Sequence, residues 1–137
     1  MTWICSKCGR KFKNKNQYHS CYKLDLEYHF RNKSDSLVQL FNYILDKISE
    51  FGKYEVNVVK TMIQLKTEST FLGITVRKNM LIVEFTLPYE WQEFPVVKTV
   101  KASSKRYFHV SSIYDMEDLT PVYFGKLHEA YKLINGE

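Results

Sequence analysis

All three cysteines of this 137-residue chain fall within its first 21 residues, and a histidine stands two places before the last of them. A disulfide framework uses even numbers of cysteine spread along the fold, so three clustered thiols point to metal ligation in a reducing compartment. The spacing is Cys5-x2-Cys8-x10-His19-x-Cys21, and Gly9 follows the second cysteine. Two thiolates two residues apart can grip one ion from a tight turn, and glycine takes the turn without a Cβ penalty. Cys5, Cys8, His19 and Cys21 together give the four nitrogen and sulfur ligands of a closed, structural zinc site. His29, with seven residues between it and Cys21, is the alternative to His19 as the nitrogen ligand.

A head this short has no core without its ion, so zinc binding is expected to be part of its folding energy. A redox pair at Cys5 and Cys8 is the competing reading; it requires a thioredoxin-like βαβ setting that the sequence lacks. The stretch also resembles a classical two-Cys, two-His finger, with Phe12 and Tyr18 at that finger's core positions. It departs where Cys21 replaces the first histidine and no histidine follows three to five residues later. That departure argues against major-groove reading by a finger helix.

The excess charge sits with the cysteines. The formal net charge is +5, but residues 1–33 hold eight basic side chains against Asp25 and Glu27, a net of +6. Residues 34–137 hold 12 basic and 13 acidic groups, a net of −1. A localised basic surface attracts polyanions, whereas the plainer reading is a solvated lysine face. The boundaries expected are a zinc-binding basic head at 1–33 and a second domain at 34–137.

The second domain reads as mixed. Ser36-Leu-Val-Gln39 has the form of a capping box, followed by Leu37, Leu40, Phe41, Ile44, Leu45, Ile48 and Phe51 at helical spacing, with Gly52 as the stop. Strand-like runs follow around 54–58, 63–65, 71–76, 80–87, 96–100 and 107–111. Arg77-Lys-Asn79 is a tight hairpin turn in which asparagine tolerates the left-handed conformation. An acidic turn at Asp115–Asp118 precedes a closing helix with Pro121 in its first turn and Tyr123, Leu127, Ala130, Tyr131 and Ile134 on one face. The class expected is α+β: a zinc knuckle, a helix, an antiparallel sheet of five to six strands, and a C-terminal helix.

The head W-I-C-S-K-C-G-R-K-F…H-S-C, the pair His29-Phe30, Phe71–Lys78 and Arg106–Val110 together resemble a bacterial domain of unknown function, the 5655 family. Related C-terminal domains occur in proteins labelled predicted transport proteins. The resemblance covers nearly the whole chain, with the head as its specific part. It implies the two-part layout and a metal at Cys5, Cys8, His19 and Cys21, and it implies no activity.

Enzyme classes find little support. There is no glycine-rich phosphate loop, nucleophile elbow or two-histidine metalloprotease motif. The thiols are allocated, and a closed four-ligand site leaves no position for a reacting water. His109, near Lys105 and Arg106, is the one acid/base candidate, and it lacks partners in the sequence. Nucleic-acid binding through phosphates is the leading expectation, for DNA or RNA. Lys7, Arg10, Lys11, Lys13 and Lys15 surround Trp3, Phe12 and Tyr18, and Lys101, Lys105 and Arg106 form a second basic set. Phe12 and Tyr18 read more readily as core than as stacking residues. The alternative is a protein- or small-ligand-binding module with zinc as a staple. It would use a sheet rich in aromatics at Phe71, Phe85, Trp91, Tyr107 and Phe108. No signal peptide or bilayer-spanning run is present, so a cytoplasmic protein without a membrane partner is expected.

Overall fold

In a computed structural model of the chain, residues 3–4, 11–12 and 26–136 are described. The first four of these residues form a two-stranded antiparallel pair. In it β1 (Trp3–Ile4) lies against β2 (Lys11–Phe12), with Trp3 opposite Phe12 and Ile4 opposite Lys11. The zinc knuckle expected from Cys5, Cys8, His19 and Cys21 lies outside the described residues, as do Lys7, Arg10, Lys13 and Lys15.

A five-residue helix, α1 (Leu26–Phe30), leads into α2 (Asp35–Ile48). The N-cap of α2 is Ser34, two residues before the serine expected from the capping-box pattern. Ser34 is extended, with φ −71° and ψ 155°, and its hydroxyl accepts the Leu37 N–H. Ser36 is already helical, and the orphan Leu37 N–H ahead of it is taken by Ser34. Asp35 in the first turn and Lys47 in the last both oppose the helix dipole favourably. Leu37, Leu40, Phe41, Ile44 and Ile48 form the buried stripe. The helix ends at Ile48, and Gly52 lies beyond it with φ 147° rather than directly at the stop.

The main sheet has six antiparallel strands: β3 (Glu55–Val58), β4 (Ile63–Lys66), β5 (Thr70–Val76), β6 (Leu81–Leu87), β7 (Val96–Ser103) and β8 (Arg106–Ile113). Their order is β3-β4-β5-β6-β8-β7. The first four strands form a simple meander. Residues 88–95 then carry the chain past the position of β8, β7 takes the edge, and the β7–β8 hairpin inserts β8 against β6. The β5–β6 turn closes with Arg77 N–H donating to the Met80 carbonyl at 2.9 Å. Asn79 does not take the expected left-handed conformation; among described non-glycine residues only Asn32, at φ 61°, has positive φ.

One face of the sheet is the core. Leu81, Val83, Phe85 and Leu87 alternate with half-buried residues along β6, the period expected of a strand with one covered face. A 3-10 turn at Met116–Asp118, capped by Asp115, delivers the chain to α3 (Pro121–Ile134). Thr120 caps α3 by accepting the Tyr123 N–H at 3.1 Å, and Pro121 occupies the first position, where its missing donor costs nothing. Tyr123, Phe124, Leu127, Ala130 and Tyr131 then close over the sheet beside α2. Fully burying each such large apolar side chain stabilises the fold by about 1.5–3 kcal/mol. Leu26 and Phe30 of α1 also pack on this core, Phe30 meeting Phe41 edge-on at 5.0 Å. Among the described residues no helix is long and apolar enough to cross a membrane.

Candidate functional site

The strongest concentration of charge in the described structure is the β7–β8 hairpin. Residues 94–114 carry Lys98, Lys101, Lys105 and Arg106 and not one aspartate or glutamate. All four cations are exposed. The remainder of residues 34–137 holds eight basic and thirteen acidic groups, so the near-neutral total of this domain hides a strong polarisation. The sequence singled out Lys101, Lys105 and Arg106, and the structure brings them together at one end of one hairpin. It adds Lys98, which the summed charge gave no reason to select.

Strand register assigns these groups to faces. His109 is fully buried on the helix-covered face, so Arg106, Phe108 and Val110 point the other way. Lys98 pairs with Val110 and Val100 with Phe108, which puts Lys98 and Val100 on that outer face as well. Phe108 is half-buried there, beside an exposed Val100. Lys101 pairs with Tyr107 on the opposite face, its ammonium 6.0 Å from the Tyr107 ring centre. Glu84 of β6 pairs with Val110 and is the carboxylate that shares the outer face at this end of the sheet.

His109, the acid/base candidate, is a core residue. Its ring stacks on Phe85 at 5.1 Å and 6°, and Nε2 accepts the Trp91 backbone N–H at 2.9 Å. An amide can only donate, so Nε2 is unprotonated and the neutral ring carries its proton on Nδ1. Burial pushes the His109 pKa below its ordinary value, opposed in part by the Tyr107 and Phe85 backbone and by the charge of Glu90. A shielded, neutral imidazole without a substrate-facing edge suits packing better than proton transfer.

The aromatics proposed for a sheet pocket divide three ways. Phe71 and Phe85 are core. Trp91 belongs to the 88–95 connection, where the Lys126 ammonium lies 5.6 Å from its ring and 5.0 Å from that of Tyr89. Tyr107 and Phe108 belong to the hairpin. A groove of about 400 Å³ lies between α2 and α3, lined by Tyr43, Lys47, Glu50, Phe51, Phe124 and His128 among others.

At the N-terminus, the β1–β2 pair closes six residues, 5–10, that include Cys5 and Cys8. The nitrogen-ligand alternative, His29, has its Nε2 2.6 Å from the Val59 carbonyl oxygen. A carbonyl only accepts, so Nε2 carries a proton and donates. Among the described residues no group of three or more His, Cys, Asp or Glu could hold a metal ion.

The family model described as Domain of unknown function (DUF5655) matches residues 26–134. The chain belongs to this family. No curated protein and no solved structure matches it. The DUF5655 match begins at the first residue of α1 and ends at the last of α3, so it spans the whole α+β unit. All three cysteines, His19 and six of the eight head cations precede it.

Proposed function

We propose that this DUF5655 protein is a non-enzymatic binding protein that contacts the phosphates of nucleic acid through basic surfaces. In this reading Cys5, Cys8, His19 and Cys21 hold a structural zinc that organises Lys7, Arg10, Lys11, Lys13 and Lys15. Lys101, Lys105 and Arg106 extend the contact on the folded domain. The observation that carries it is the β7–β8 hairpin, where four exposed cations stand without a carboxylate across residues 94–114. Cations so placed neutralise phosphates and release counterions, giving affinity that falls with salt and depends weakly on sequence. The β1–β2 pairing supports the zinc reading, because it pairs Ile4, just before Cys5, with Lys11, three residues after Cys8, and a two-cysteine knuckle uses such a hairpin.

Fluorescence anisotropy of the zinc-loaded full chain with labelled DNA and RNA, across a salt series, tests it. With about four phosphate contacts on duplex DNA, log affinity falls against log salt with a slope near −3.6. A charge-reversed hairpin, Lys101→Glu with Lys105→Glu and Arg106→Glu, weakens binding to every sequence and flattens the slope. No binding at low salt, or a salt-insensitive complex, sinks the proposal. The groove between α2 and α3 supports the second reading, a small-ligand module in which zinc is only a staple.

A further inference from the structure

We infer that the outer face of β7 and β8 is a platform for single-stranded nucleic acid, with Phe108 stacking on an unpaired base and Lys98, Lys105 and Arg106 holding phosphates. This rests on the nucleic-acid reading above and names the form of nucleic acid that the hairpin takes.

Helices α2 and α3 occupy only the face of the sheet that buries Phe85, His109 and Ser111. Phe108 faces away from them, and none of the described helices covers it. Its neighbours on that face are Val100, 44% exposed, and Thr86, its partner on β6. Arg106 precedes it by two residues on the same face, and Lys98 lies diagonally across the β7–β8 ladder. Side chains so related in a sheet are about 7–8 Å apart, within reach of one nucleotide held on the ring. An aromatic ring among cations on a strand offers a π-face to any base and charge to its phosphates. A duplex keeps both faces of its bases stacked, so Phe108 gains nothing from one.

Lysines on an edge strand also discourage strand pairing between copies, which accounts for Lys98 and Lys101 without a ligand. It does not account for Phe108, Val100 and Val97, which leave an apolar strip among those cations. A second copy paired along β7 would bring eight cations together, so charge favours a polyanion on this face. Glu84 marks its limit, since it lies in the same cross-strand row as Val110 and Lys98 and repels phosphate.

The test compares full-length zinc-loaded protein with Phe108→Leu, Phe108→Tyr and Glu84→Gln, using labelled single strands of DNA and RNA and the matching duplexes. Phe108→Leu keeps the apolar bulk and loses the π-face. It is expected to weaken single-strand binding about tenfold while duplex binding is unchanged. Phe108→Tyr retains binding, and Glu84→Gln tightens it. Single strands bind the parent protein more tightly than duplexes. Equal single-strand affinity in Phe108→Leu, with circular dichroism showing a native fold, overturns the platform, and so does a preference for duplex. Either result leaves the nucleic-acid reading standing if binding remains salt-dependent. Absence of binding to all probes removes both. A concentration-dependent dimer lost in Phe108→Leu, without nucleic-acid binding, assigns the face to a second copy of the chain.

Discussion

The backbone N–H of Trp91 donates to Nε2 of His109 at 2.9 Å, fastening the 88–95 connection to the centre of β8. The imidazole accepts this bond only when neutral, and burial already disfavours its charged form. Its pKa in the folded state lies below the ordinary 6.5. The unfolded chain therefore binds more protons as pH falls through 6.5, and stability drops with it until the folded-state pKa is passed. Above pH 6.5 the full stability is present. Urea denaturation between pH 8 and 5 should show the decline, and His109→Gln should remove this component of it. A slope unaltered by the substitution would place the linkage on another histidine.

A second buried pair makes a prediction at the alkaline end. Ser111 donates to the Val83 carbonyl at 2.8 Å, which leaves its oxygen to accept from the Tyr123 hydroxyl at 2.5 Å. Burial raises the Tyr123 pKa far above its ordinary 10. Stability from this tyrosine is complete below pH 10 and is lost as the pH climbs above it. Ultraviolet titration should find one tyrosine of the ten that ionises only as the protein unfolds. Tyr123→Phe is expected to cost about 1 kcal/mol. Ser111→Ala costs more, because it strands the buried Tyr123 hydroxyl. The double substitution should therefore cost less than the sum of the two.

What could be read in advance was whatever local pattern dictates. The alternation from Leu81 to Leu87 specifies a strand with one covered face, and Pro121 marks the first turn of a helix whether or not anything packs on it. The six strands fall within the five to six expected, and their order does not follow from the sequence, because β8 enters between β6 and β7 through long-range pairing. Helix α1 escaped notice because five residues carry too little periodicity, and His29 drew attention as a ligand instead. Lys98 and Phe108 were legible only as types. The sense in which they share a face came from the Val100–Phe108 and Lys98–Val110 register, and the polarisation of the domain vanished in a sum of −1. Cysteine spacing is a different kind of signal, specific in itself and independent of the sheet.

Gly52 illustrates a backbone requirement coupled to a side chain. Its φ of 147° disfavours any other residue, and a Cβ there would fall 2.5 Å from the Tyr131 hydroxyl oxygen. That hydroxyl cannot swing away freely, because it donates to the Lys53 carbonyl at 2.9 Å. Gly52→Ala should destabilise the protein by about 1–3 kcal/mol in urea denaturation. Tyr131→Phe in the same background should recover part of the loss, because it removes the atom in closest approach. If Gly52→Ala is neutral, the connection between α2 and β3 must relax in a way this geometry does not allow.

The proposed zinc site makes the last prediction, and His29 is its control. Both histidines near the cysteines are candidates by spacing, but His29 donates from Nε2 to the Val59 carbonyl at 2.6 Å, which ties it to the loop between β3 and β4. Recruiting it to the metal would require ligation through Nδ1 or loss of this bond. The purified protein should contain about one zinc per chain, and cobalt substitution should give the thiolate charge-transfer and tetrahedral visible bands of a sulfur-rich site. Cys8→Ser and Cys21→Ser should abolish stoichiometric binding, and His19→Ala should weaken it. His29→Ala should leave the cobalt spectrum unchanged while lowering the thermal stability of the α+β domain, where its hydrogen bond lies. A spectrum altered by His29→Ala and untouched by His19→Ala would exchange their roles and join the metal directly to the DUF5655 domain through α1.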